Sequence, residues 1–352
     1  MTNPLLATWD TPFGLPPFDQ ISDADFAPAV DVALQQSRDN IAAIAGNADA
    51  PTFENTVTAL ETADELLGRV LGAFYALAGA DSNAAREKLQ RSFAPLLSAY
   101  ASEVSENKAL FARVDALWDQ RENLDLTDEQ QRVLMLTRRG FVRAGARLEG
   151  ADAAALRDAK SQLSVMGTQF TQNLLADERS WFMPLGAADL DGLPDFVIAT
   201  AKAAGVEKDA GGPVVTLSRS LIVPFLQFSD RRDLRQKAYE AWGARGANGG
   251  DTDNRALAAK TLNLRETRAK LLGYENFAAF KLETEMAGTA KAVEDLLMQV
   301  WEPAKAAALA DADVLTRMLH ADGWDGPLEP WDWRYYSEKR RKDLHDLDEA
   351  AL

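Results

Sequence analysis

No cysteine occurs among the 352 residues. Its absence excludes a disulfide framework, a thiolate metal site and a cysteine nucleophile, and it suits a cytoplasmic chain. Histidine is nearly missing as well. His320 and His345 are the only two, and neither lies within a helical turn of the other, whereas a catalytic zinc site normally takes three protein ligands and an open position. No stretch reaches the roughly 18 apolar residues of a membrane span, and the start, MTNPLLATWDTPFG, carries neither a basic segment nor a continuous apolar one. Positive charge is in deficit, with 38 Lys and Arg against 54 Asp and Glu and a formal net charge of -16. A field of that sign repels phosphate backbones and anionic lipid, so neither nucleic acid nor membrane is expected as a partner. There is no GxSxG elbow, no GK[ST] after a glycine loop, no internal repeat and no low-complexity tract.

What the chain does have is apolar residues, 47% of the total, recurring mostly at helical spacing. Prolines at 4, 12, 16 and 17 make the first 20 residues an extended arm, with Trp9, Phe13 and Phe18 as its anchors. Ser22 and Asp25 then cap a helix whose Phe26, Val30, Ala33, Leu34, Ile41 and Ile44 share a face, ended by Gly46 and Asn47. A longer helix is expected from Thr52 to about Gly79, striped by Phe53, Val57, Leu60, Leu67, Leu71 and Phe74. Further amphipathic stretches carry Leu89, Phe93 and Leu97, then Phe111, Val114 and Trp118. Thr127 and Gln130 form a capping box before a helix running to Leu148, and Leu156 to Leu174 complete the run.

The texture changes at Ser180. SWFMPL and, after a short helix, PVVTL (Pro213 to Leu217) have the length and branching of strands and predict a small hairpin. Helices resume near Asp230, and a long one from Thr289 is expected to bend or break at Pro303 and end near His320. The reading is mainly α with a small β-hairpin region. It divides into an N-terminal helical region at 1–179, a hairpin-containing segment at 180–228 and a second helical region at 229–352.

Several chemical candidates carry ordinary alternatives. Arg139, Arg143 and Arg147 fall at i, i+4 and i+8, either pairing with acidic neighbours or forming an anion site. Glu283 and Glu285 are an acid and base pair or a solvated helix end. The loop from Gly243 to Gly250 follows a helix instead of a strand, which is the wrong context for a dinucleotide site. His320 suits the negative end of a helix dipole.

Aromatic residues concentrate at the end, in EPWDWRYYSEKRRKDLHDLDEAAL (Glu329 to Leu352). Asp332 after Pro330 is a plausible N-cap, and Asp346 with Glu349 forms a second capping box about one turn before the last residue. A helix so short does not hold itself, so the chain is expected to be a truncated product. Trp331, Trp333, Tyr335 and Tyr336 are candidates for contact with substrate, because amphipathic rings grip a peptide at low entropic cost. Arg334 beside them is a candidate partner for a peptide carboxylate. Core packing is the alternative for the rings.

PWDWRYYSEKRR followed by DLDEAAL resembles the thimet oligopeptidase and dipeptidyl carboxypeptidase family of zinc peptidases. The resemblance returns in NPLL (Asn3 to Leu6), LPPF (Leu15 to Phe18), PTFENTVTALE (Pro51 to Glu61), YEAWGARG (Tyr239 to Gly246) and LRETRAKLLGYENFAAFKL (Leu264 to Leu282). FARVDALW (Phe111 to Trp118), FVRAGARL (Phe141 to Leu148) and QFTQNLLAD (Gln169 to Asp177) look more like the dipeptidyl carboxypeptidase branch. His345 stands where that family usually carries Tyr or Phe, which weakens any role for the ring.

The resemblance implies the N-terminal portion of a two-lobed, neurolysin-like zinc oligopeptidase, with antiparallel helices around a channel and short peptides as substrate. Zinc would sit in the later, catalytic lobe. That family's signature is HExxH on a helix, and this sequence contains none. The chain itself is therefore expected to bind no metal and to be inactive alone, while the complete enzyme would release C-terminal dipeptides or act as an endopeptidase. The competing reading is a noncatalytic helical peptide-binding or scaffold protein.

Overall fold

The computed structural model describes residues 3–345. Its contacts divide the chain into two compact units, Met1–Ala154 and Ala155–Leu352. Both are helical, and the capping box expected at Asp346 and Glu349 lies outside the described residues.

In the first unit, α1 (Asp23–Ala45) starts where expected, with the Asp25 carboxylate accepting the Ser22 backbone N–H at 2.8 Å. All six residues of its predicted apolar face are buried. The helix predicted from Thr52 is instead three pieces: a π-helical segment at Phe53–Thr58, α2 (Ala59–Thr62) and α3 (Glu65–Ala80). Apolar spacing continues across the break, but Asp64 leaves the helix and accepts the hydroxyl of Tyr100. Tyr100 belongs to α4 (Ala84–Ser105), which is followed by α5 (Lys108–Gln120) and α6 (Asp128–Ala144). The Thr127–Gln130 capping box is present. α6 ends before Leu148 because Gly145 turns left-handed at φ 104°, and this takes Arg147 off the helix. Arg138 and Arg147 both pair with Asp115, at 2.7 and 3.3 Å. Phe26, Phe74 and Phe93 meet edge to face at 5.1 and 5.0 Å in the core, a geometry that lets the positive ring edge meet the negative ring face. Trp9 anchors the arm under Arg69, but Phe13 does not. It is 99% exposed with φ 60°.

The second unit takes in most of α7 (Gly150–Ser180), then β1 (Phe182–Pro184), α8 (Asp195–Glu207), β2 (Val214–Thr216) and α9 (Arg219–Phe228). β1 and β2 pair antiparallel with Met183 opposite Val215. The two strands lie in the stretch where the sequence predicts the hairpin. α8 and α9 bury Val197, Ala201, Leu221, Ile222 and Phe225 in one cluster with Val215. Next come α10 (Arg232–Gly243), α11 (Arg255–Leu271), α12 (Phe277–Leu282), α13 (Ala290–Ala321) and α14 (Pro330–His345). α13 runs unbroken through Pro303. The glycine loop before α11 is a connector tied to a buried acid. Asp177 accepts the Gly246 N–H at 2.7 Å, Asn248 Nδ2 at 2.9 Å and the Thr252 hydroxyl.

Candidate functional site

α14 packs against α9, α10 and α13, and its two sides have opposite characters. Successive helical residues turn by about 100°, so Trp333 and Arg334 face away from the side on which Asp332, Tyr335 and Tyr336 are buried. Asp332 is not the N-cap. The helix begins at Pro330, and the Asp332 carboxylate reaches back to the Glu329 N–H at 3.1 Å.

Beneath α14 lies a buried polar web. Asp332 takes Arg232 through both oxygens, at 2.9 and 2.7 Å, and Arg235 through Oδ1 at 3.0 Å. Arg235 also donates to the carbonyls of Ser229 at 2.7 Å and Trp331 at 3.2 Å, and its guanidinium lies 3.9 Å from the Tyr335 ring centroid. The Tyr335 hydroxyl donates to Asp230 at 2.6 Å, and Lys339 bonds Asp322 at 2.9 Å. Burial alone would raise the Asp332 carboxyl; hydrogen bonds from Arg232, the Glu329 N–H and Arg235 outweigh it and hold the group below the usual carboxylate range. Burial, reinforced by Asp322, pushes the Tyr336 hydroxyl up to about 12. A buried charge cluster of this kind is tolerated only when its hydrogen bonds are satisfied.

On the other side of α14 a groove of about 910 Å³ opens, lined by Trp333, Arg334, Tyr239, Thr316, Glu329 and neighbouring prolines. That is within the size of ordinary ligand sites. Trp333 is 38% exposed. Arg334 is exposed, 5.9 Å from the Trp242 ring centroid, and has no ion-pair partner among the described residues. The groove thus presents an indole, a phenol and an unpaired guanidinium, with a half-buried carboxylate from Glu329.

Of the five residues singled out in the sequence, the structure brings Trp333 and Arg334 to this groove. Trp331 does not line it and stands edge-on to Tyr239 at 6.5 Å, while Tyr335 and Tyr336 pack in the core. Tyr239, Thr316 and Glu329 were not picked out as contacts. Tyr239 stands in the YEAWGARG stretch, but only tertiary packing brings it to α14. His320 is exposed with Nε2 3.0 Å from the Gly326 carbonyl, and among the described residues no group of three acidic or histidine side chains is placed to hold a metal ion.

Residues 225–352, which contain every wall of the groove, match peptidase family M3. Across 99% of its length the chain is 34% identical to a dipeptidyl carboxypeptidase of Escherichia coli (strain K12), covering 52% of that protein. It is 30% identical to oligopeptidase A of the same organism, over 100% of the chain and 52% of the relative. With a probable cytosolic oligopeptidase A of Arabidopsis thaliana the figures are 27%, 100% and 50%. The chain is thus similar over its whole length to dipeptidyl carboxypeptidase and oligopeptidase A relatives, and its residues 225–352 carry the match to peptidase family M3. It spans about half the length of the curated relatives it matches.

Proposed function

We propose that this chain is the N-terminal, peptide-holding part of a zinc-dependent oligopeptidase. The observation that carries the reading is the unpaired Arg334 guanidinium beside Trp333 in an open groove, on a chain of net charge -16. A free peptide C-terminus offers Arg334 a planar carboxylate that it can grip bidentately, and Trp333 and Tyr239 offer rings on which the last side chains lie. Recognition from the C-terminal end fits an enzyme that in complete form releases dipeptides; the family's endopeptidase relatives make that the alternative specificity.

The residues present do not fit a zinc centre. The sequence has two histidines, both far from a ligand set, and no HExxH. The zinc of the complete enzyme therefore belongs to polypeptide beyond this one, and this chain alone binds peptides without cleaving them. A noncatalytic peptide-binding protein is the second reading, and the same groove favours it.

Calorimetric titration with a short peptide, in free-acid and C-terminally amidated forms, tests the groove. Arg334→Ala removes one charge-assisted contact of roughly 1.5–3 kcal/mol, so the free acid should bind about 10- to 100-fold more weakly while the amide changes little. Equal losses for both peptides would remove Arg334 from carboxylate recognition.

A further inference from the structure

From Ala290 to Ala310 every residue of α13 is exposed except Val293, which is half-buried. The exposure is not that of a polar surface helix. Val293, Leu296, Leu297, Val300, Trp301, Ala304 and Ala308 fall on one face at the 3.6-residue period, and Lys291, Asp295, Glu302 and Lys305 fall on the other. Leu296, Leu297, Val300 and Trp301 are 63, 60, 57 and 55% exposed. On the charged face Lys291 and Asp295 close an ion pair at 2.7 Å. The fully buried residues of the helix lie in its last third, where Leu315 and Leu319 pack with Tyr335 and Tyr336 of α14.

An amphipathic stretch with its apolar face in water and Pro303 in its middle does not sustain itself. It needs a covering surface about as long as itself. A second copy of the chain would bring another net charge of -16 against it, and an anionic membrane is repelled by the same field. The stretch lies inside the segment that matches peptidase family M3, and the relatives carry about as much polypeptide again as this chain covers. We propose that the Val293–Ala308 face is the docking seam for that other half, which lays an apolar helical surface along it. The proposal shares with the functional reading the premise that the working enzyme includes that half, but it rests on a different surface from the groove.

Hydrogen–deuterium exchange of the 352-residue chain tests it, alone and mixed with the half of the E. coli dipeptidyl carboxypeptidase that the chain does not cover. That enzyme's own first half serves as positive control for association. Alone, amides 293–309 should exchange far faster than those of 314–320, and mixing should slow them by about tenfold or more. Leu297→Asp with Trp301→Asp, both at exposed positions, should abolish that protection and leave exchange elsewhere and helicity unchanged. Association of the control half without protection of 293–309 in this chain overturns the proposal. So does protection in the chain alone accompanied by a dimer mass. Arg334→Ala should leave the docking intact, so loss of peptide binding and loss of docking report on separate claims.

Discussion

Asp332 shows how one residue can be legible in type and misread in role. An acid two residues after Pro330 looks like a cap, and it does accept the Glu329 N–H. Its larger part is to neutralise two arginines from α10 in a site where its own exposure is 0%. Asp332→Ala would strand Arg235, itself 1% exposed, and should cost roughly 3–5 kcal/mol in urea unfolding of the second unit. Asp332→Asn should cost less but change the pH dependence. Because the folded carboxyl titrates below its unfolded value, its stabilisation is fully present above about pH 4 and is lost as pH falls through the folded pKa. Acid unfolding monitored by circular dichroism should therefore be less steep in the Asn variant below pH 4; an unchanged profile would show that the web contributes nothing to acid lability. Asp177 is lowered too, burial being outweighed by Thr252, Gly246 and Asn248, so part of the slope should remain.

At the level of elements, α8 makes a prediction whose sign is opposite to helix propensity. Ala is normally better than Gly inside a helix by about 1 kcal/mol. At Gly205 a Cβ would lie 1.8 Å from the Gly212 carbonyl oxygen, a backbone atom held in place by the turn into β2. Gly205→Ala should therefore destabilise the second unit by about 3 kcal/mol or more, where the same change at exposed Gly167 of α7 should stabilise slightly. Thermal melts of the two variants decide between packing and propensity. The same contrast explains what the sequence revealed of the fold. α1 and the start of α6 were legible because their caps and apolar faces are local. The break at Asp64 was not, since the hydroxyl its carboxylate accepts lies 36 residues away, and Pro303 leaves its helix continuous because a long helix absorbs one missing hydrogen bond. In the groove, composition pointed to Trp333 and Arg334, but the helical turn that separates them from Tyr335 and Tyr336, and the arrival of Tyr239 and Thr316, needed the packed structure.

For the whole molecule, the proposed function is that of a chain that holds peptides and leaves their hydrolysis to groups it does not carry, in keeping with a charge of -16, an absent HExxH and an unpaired cation beside exposed Trp333. Lowering the pKa of water to near 7 takes a preorganised metal, and scattered carboxylates give oxygen sites better suited to calcium or magnesium. The most direct measurement adds zinc and a chromogenic oligopeptide to the purified chain, its intact mass showing that it ends at Leu352, and follows binding and cleavage in one sample. The peptide should be bound, displaced by an unlabelled peptide with a free C-terminus, and recovered intact. Turnover that a chelator abolishes and that survives repurification would contradict it and make this chain a peptidase in its own right.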